Sequence, residues 1–129
     1  MAKQYVILIM EPAWNGVDAD PDYDWDEAWS HHNAFRDAVV AAGGKVVDGD
    51  ALQPPKAAFR VDPGKAGEAP LITDGPFPET KEIIAGYYKI ELPDDADVRA
   101  VAAICPTDGW LEVYPVAELP DPSPEVDQK

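Results

Sequence analysis

Tyr5-Val6-Ile7-Leu8-Ile9-Met10 is apolar at every position, and the acidic Glu11 follows it directly. A run this short cannot cross a bilayer, and no small-residue cleavage site of a secretory leader follows it. It reads as a β-strand buried on both faces, because a strand with one wet face would alternate apolar and polar residues. Such a strand needs cover on two sides, and the rest of the chain supplies cover for only one.

A helix is expected over 25–42. Asp24 can cap it, Glu27 lies three residues on as in a capping box, and Gly43-Gly44 supplies the left-handed stop. Strand pieces follow at 45–48 and 51–53, with Gly49 as a bulge or kink between them. Residues 57–61 and 70–73 read as a short hairpin around the loop 62–69, and 74–78 as a turn. A long strand over 83–92 places Ile84, Gly86, Tyr88, Ile90 and Leu92 on one face and Tyr87, Lys89 and Glu91 on the other. A helix over 95–104, stopped by Pro106, and a strand over 110–116 complete the pattern.

The order β-α-β, small hairpin, β-α-β predicts an α+β domain, a ferredoxin-like split βαβ unit with an antiparallel sheet. Two helices can cover only one face of its sheet. The bare face predicts a homodimer, a second copy being the simplest cover. At 129 residues the chain suits one domain, assigned to 1–117, with 118–129 as an acidic, Pro-rich disordered tail.

The chain carries 25 Asp and Glu against 10 Lys and Arg, a formal net charge of -15. A surface of that sign repels phosphate backbones and anionic lipid, which argues against direct nucleic-acid or membrane binding. Cys105 is the lone cysteine, so no internal disulfide can form, and a cytoplasmic location is expected.

The segment Ile72-Thr73-Asp74-Gly75-Pro76-Phe77-Pro78-Glu79-Thr80-Lys81-Glu82 resembles the signature of the DGPF branch of the YCII-related family. Asp50-Ala51-Leu52-Gln53-Pro54, Gly86-Tyr87-Tyr88 and Glu112-Val113-Tyr114-Pro115-Val116 resemble the family's other landmarks in order, and the similarity spans about 5–116. Pro78 departs from the usual small residue. The resemblance implies assembly as a dimeric α/β barrel. It implies no single reaction: related YCII-like proteins carry a His–Asp pair in a cleft and are suspected of acid–base catalysis, while some DGPF proteins are linked with extracytoplasmic-function sigma factors. Fold analogy cannot choose between these.

His32 is the sharpest candidate for chemistry. At about 100° per residue it sits amid Trp25, Ala28, Trp29, Phe35 and Val39 on the helix face turned to the sheet, with His31 toward the helix edge. Aligned on Gly43, it also falls where the YCII-like histidine lies. A histidine on an apolar face needs a hydrogen-bond partner, and its own helix offers none at three or four residues. Asp74 is the first candidate, with Asp48 and Asp50 behind it. A carboxylate on one imidazole nitrogen would orient the ring and raise its basicity. The structural alternative is a satisfied core or interface histidine. Asp74-Gly75-Pro76-Phe77 likewise serves either as a turn with Phe77 as anchor, or as a rigid mount for Asp74 beside His32. Trp29, Phe77, Lys81 and Tyr87 are candidate ligand-lining residues.

Other chemistries find no support. The acidic loop with Asp18, Asp20, Asp22, Asp24 and Asp26 fails the EF-hand spacing, since Tyr23 or Trp25 stands where glycine is required. Two adjacent histidines and one cysteine give no zinc pattern. Ser30 and Ser123 sit in no nucleophile elbow, and Cys105 is expected to be buried and inert. No metal and no cofactor is expected. Two functions remain: a small-molecule-binding or regulatory accessory dimer, or a metal-independent acid–base enzyme, isomerase or lyase in type, using a His32–Asp74 pair. A third, a dimer with no small-molecule role, stands behind them. A carboxylate bonded to His32 in a polar cleft would favour the enzyme. A dry ring bonded only to backbone would favour the others.

Overall fold

A computed structural model describes residues 2–13, 21–77 and 82–120. The described elements follow the expected order: β1 (Ala2–Glu11), α1 (Trp25–Ala41), β2 (Lys45–Ala51), β3 (Phe59–Asp62), β4 (Leu71–Asp74), β5 (Ile83–Pro93), α2 (Val98–Ala102) and β6 (Trp110–Pro115). The main sheet runs β2-β5-β1-β6 with every neighbour antiparallel. β1 lies inside this sheet between β5 and β6, with Ile7 and Ile9 buried on the helix side and Val6 and Leu8 half-buried on the other. β3 and β4 form a separate two-stranded sheet. The fold is α+β with two α-helices among the described residues, and neither is long and apolar enough to cross a membrane.

Both helices pack on one face. Phe35 and Val39 of α1 and Val101 and Ala102 of α2 join Ile7, Ile9, Tyr88, Ile90 and Leu92 in a single buried cluster. Full burial of a Leu, Ile, Val or Phe side chain stabilises by about 1.5–3 kcal/mol. The start of α1 is fixed as its sequence requires, with the Asp24 carboxylate accepting the Glu27 N–H at 2.9 Å. Its end is a paired cap. Gly43, at φ 89°, donates to the Val40 carbonyl and Gly44 to that of Val39. Only glycine adopts that φ without strain.

Several details differ from expectation. β2 is one continuous strand, and its irregularity falls at Val47, between Val46 and Asp48, with Gly49 regularly paired to Tyr88. Gln53 lies beyond the strand. A second bulge lies in β5, where Ile9 pairs with Gly86 and Met10 with Ile84. The extra residue, Ala85, joins the core, and Ile84 turns to the opposite face, 42% exposed, away from Tyr88. α2 is shorter than 95–104, because Asp97 takes the cap and accepts the Ala100 N–H at 3.2 Å. Cys105 is buried, and burial pushes its thiol pKa up to about 12, consistent with an inert packing role.

By register, the face away from the helices carries Val6, Leu8 and Met10 with Ile84, Tyr87, Lys89, Trp110, Glu112 and Tyr114. Its polar groups partly satisfy one another. Tyr87 shares its hydroxyl proton between Asp48 and Asp50, each at 3.2 Å, and Trp110 Nε1 donates to Glu112 at 3.1 Å. Residues 118–120 carry neither helix nor strand, and 121–129, most of the expected tail, lie outside the described residues.

Candidate functional site

A cleft of about 310 Å³ opens between the first half of α1 and the sheet. It exists because the sheet is bare there: Gly49, Ala51, Ala85 and Gly86 offer almost no side chain beneath the helix. Trp25, Trp29 and His32 project from α1 as one wall. Ile9 and Glu11 close one end from β1, and the turn Pro106, Thr107 and Asp108 forms the rim.

His32 is half-buried, and its Nδ1 lies 2.7 Å from the Tyr88 hydroxyl of β5. The two rings are tilted by 46° with centroids 5.8 Å apart, and Phe35 packs against Tyr88 at 4.8 Å. The Arg36 guanidinium lies 5.7 Å from the Tyr88 ring centroid. Burial raises the Tyr88 pKa, while hydrogen bonding and charge from Arg36 oppose it. The phenol therefore keeps its proton at neutral pH. Since the Arg36 guanidinium can only donate to the hydroxyl oxygen, we assign the phenol proton to His32 Nδ1, which makes Nε2 the protonated imidazole nitrogen. Burial, and then the charges of Arg36 and His31, hold the His32 pKa below its ordinary 6.5, so the ring is neutral near pH 7. The folded ring gives up its proton more readily than the unfolded one. Its contribution to stability is thus lost as pH falls through 6.5 toward the folded value.

Of the expected catalytic pair, His32 borders the cleft and Asp74 does not. Asp74 ends β4 opposite Phe59, exposed in the separate hairpin. The partner of His32 is Tyr88, and the runners-up Asp48 and Asp50 are engaged by Tyr87 instead. Among the expected lining residues Trp29 borders the cleft, and Tyr87 belongs to the strand beneath it while its ring lies on the opposite face. Phe77 lies elsewhere, half-buried with the Arg60 guanidinium 4.2 Å from its ring centroid. Lys81, Pro78, Asp18 and Asp20 fall outside the described residues. His31 points to solvent, 3.6 Å from Glu27. Among the described residues no group of three or more His, Cys, Asp or Glu could hold a metal ion.

Glu11, Tyr23, Trp25, Tyr88 and Asp108 belong to the site, and sequence reasoning passed over them. Glu11 was legible. It keeps the strand parity of Ile7 and Ile9, so it must face the helices, and an acid at such a position is unusual for structure alone. It is 9% exposed, and one oxygen accepts the Asp108 N–H at 3.4 Å. Burial raises its pKa above the ordinary value, the Asp108 N–H works against that, and the Asp108 charge adds to it. The Tyr23 pKa is also raised, by burial first and then by the charges of Asp108, Glu11, Glu27 and Asp24.

The sequence model of the YCII-related domain matches residues 24–120 of the chain. A comparison with curated proteins finds no match.

Proposed function

The chain belongs to the YCII-related domain family, and from that premise we propose that it is a small-molecule-binding homodimer whose ligand enters the cleft at His32. The observation that carries this reading is the 2.7 Å hydrogen bond between the Tyr88 hydroxyl and His32 Nδ1. A carboxylate partner would have made the imidazole a stronger base. With the phenol proton assigned to Nδ1, the half-buried ring, its pKa lowered by burial, is a weak base that offers Nε2–H as a donor. That arrangement suits holding a ligand acceptor better than removing a proton. The acid–base alternative with Asp74 loses its geometric support, because Asp74 stands in the hairpin.

The test is a thermal-shift screen of small polar and aromatic compounds on the parent, His32→Ala and Asp74→Ala. A ligand present at 100-fold over its Kd stabilises by about 2.7 kcal/mol, ample to read as a shift in Tm. We expect compounds that shift the parent and Asp74→Ala alike and fail to shift His32→Ala. A hit lost in Asp74→Ala and kept in His32→Ala would sink the reading.

The homodimer part rests on the sheet face away from the helices. Trp110, Ile84 and Tyr114 are 39%, 42% and 55% exposed there, and Val6 and Leu8 lie between them half-buried. Together with the resemblance of the Asp74–Phe77 turn to the DGPF branch, this supports assembly as a dimeric α/β barrel. Light scattering on an eluting peak is expected to give twice the chain mass. A monomer mass that persists at high concentration would remove the dimer from the proposal.

A further inference from the structure

We propose that the cleft takes an organic cation, an amine carried on an apolar and preferably aromatic body, an inference that rests on reading the cleft as a ligand site. Three features point to that class. The first is the wall. Tyr23, Trp25, Trp29, His32 and Tyr88 form a continuous ladder of rings, with successive centroids 4.7, 6.1, 6.1 and 5.8 Å apart. Trp29 is 56% exposed, a large ring that the fold itself does not use. Indole and phenol faces attract ammonium groups, and more strongly where water is excluded.

The second feature is Glu11 at the end of the ladder. A carboxylate buried to this degree normally has a cationic partner. Among the described residues no Lys or Arg forms an ion pair with it, and its bond to the Asp108 N–H is long at 3.4 Å. The third is the sign of the rim. Glu11 and Asp108 both line the cleft beside Tyr23, and the charges of Glu27 and Asp24 at the start of α1 also reach the Tyr23 hydroxyl. Among the described residues lining the cleft Arg36 is the one Lys or Arg, and it sits at the opposite end of the ladder, over Tyr88. An ammonium group lodged between Glu11 and the Trp25–Trp29 faces would satisfy the acid, its apolar body would lie on the small-residue floor, and an acceptor carried on that body would meet His32 Nε2–H. The cavity volume is at the lower end of pockets that hold small organic ligands, so a single-ring amine fits the space.

The test is calorimetric titration with 2-phenylethylamine, its neutral isostere 2-phenylethanol and the anion 3-phenylpropionate. The amine is expected to bind about tenfold more tightly than either. Glu11→Gln is expected to bring amine and alcohol to similar affinity. This variant should fold: the raised pKa of Glu11 means that its charged form burdens the folded state near pH 7, and glutamine removes the burden while keeping an acceptor for the Asp108 N–H. Should it not fold, Asp108→Asn and a salt titration carry the test, because both must shrink the amine's advantage. Equal binding of amine and alcohol by the parent, or preference for the anion, overturns the cation and leaves the ligand cleft standing. So does an amine advantage unchanged in every variant and at high salt. If none of the three probes binds, the cleft reading falls as well.

Discussion

Phe35→Ala is expected to destabilise the fold by about 3–5 kcal/mol. The side chain is 0% exposed and joins α1 to the sheet through Tyr88, their ring centroids 4.8 Å apart. Ile7, Ile90 and Leu92 around it are also fully buried and belong to strands tied on both sides, so the surroundings can collapse only slightly into the space left. The cavity therefore adds to the lost transfer free energy. Urea unfolding followed by far-UV circular dichroism checks it through the midpoint at unchanged slope. A loss below about 1 kcal/mol would mean that Phe35 is not the wedge between helix and sheet. The substitution has a second consequence. Tyr88 loses its rear support, so the hydroxyl that holds His32 loosens, and ligand binding should weaken even in the folded fraction.

The order of elements was legible because each boundary carries a local chemical signal. Asp24 with Glu27 opens α1, Gly43-Gly44 closes it, and Pro106 lies just past α2. The unbroken apolar run of β1 marked it as a strand with no wet face. What sequence could not give were the two bulges. An extra residue in one strand is fixed by how three strands twist against one another, and no property of Val47 or Ala85 announces it. Leaving out the single extra residue in β5 is enough to put Ile84 on the wrong face, since a strand's side chains alternate.

The site divides along the same line. His32 was found because helical periodicity is strong and a polar residue in an apolar stripe stands out. Its partner was missed because hydrogen-bond need was matched to the strongest partner type, a carboxylate, when the nearest strand residue was an aromatic with a hydroxyl. Gly49 paired with Tyr88 is invisible without the register. Asp74 was drawn in by its conspicuous turn, yet the hairpin bearing it is a separate sheet whose position no local pattern specifies. Glu11 shows the opposite failing: the parity of β1 already placed it on the helix side, beside the core.

Gly49→Val is expected to cost about 1–3 kcal/mol and to free His32. A Cβ at Gly49 would lie 2.6 Å from Tyr88 Cδ1 and 3.0 Å from the Tyr87 carbonyl oxygen. The first contact is with a buried ring already pressed on its far side by Phe35, and the second is with backbone, so neither neighbour can simply step aside. Glycine stands there because Tyr88 lies flat across the strand, and any side chain must push that ring toward the cleft. The hydroxyl then leaves Nδ1. The proton we assign to Nε2 loses its cause, and with more water about the ring the pKa should rise toward 6.5. Tyr88→Phe separates the two effects, deleting the hydroxyl while leaving the ring in place. It should alter the His32 tautomer with a smaller loss of stability than Gly49→Val. Nitrogen NMR of the imidazole reports tautomer and pKa together. If Gly49→Val unfolds at the parent's midpoint with an unaltered His32 signal, the ring has room to spare. Tyr88 would then not be the element that sets His32, and the donor role assigned to Nε2 in ligand binding would lose its foundation.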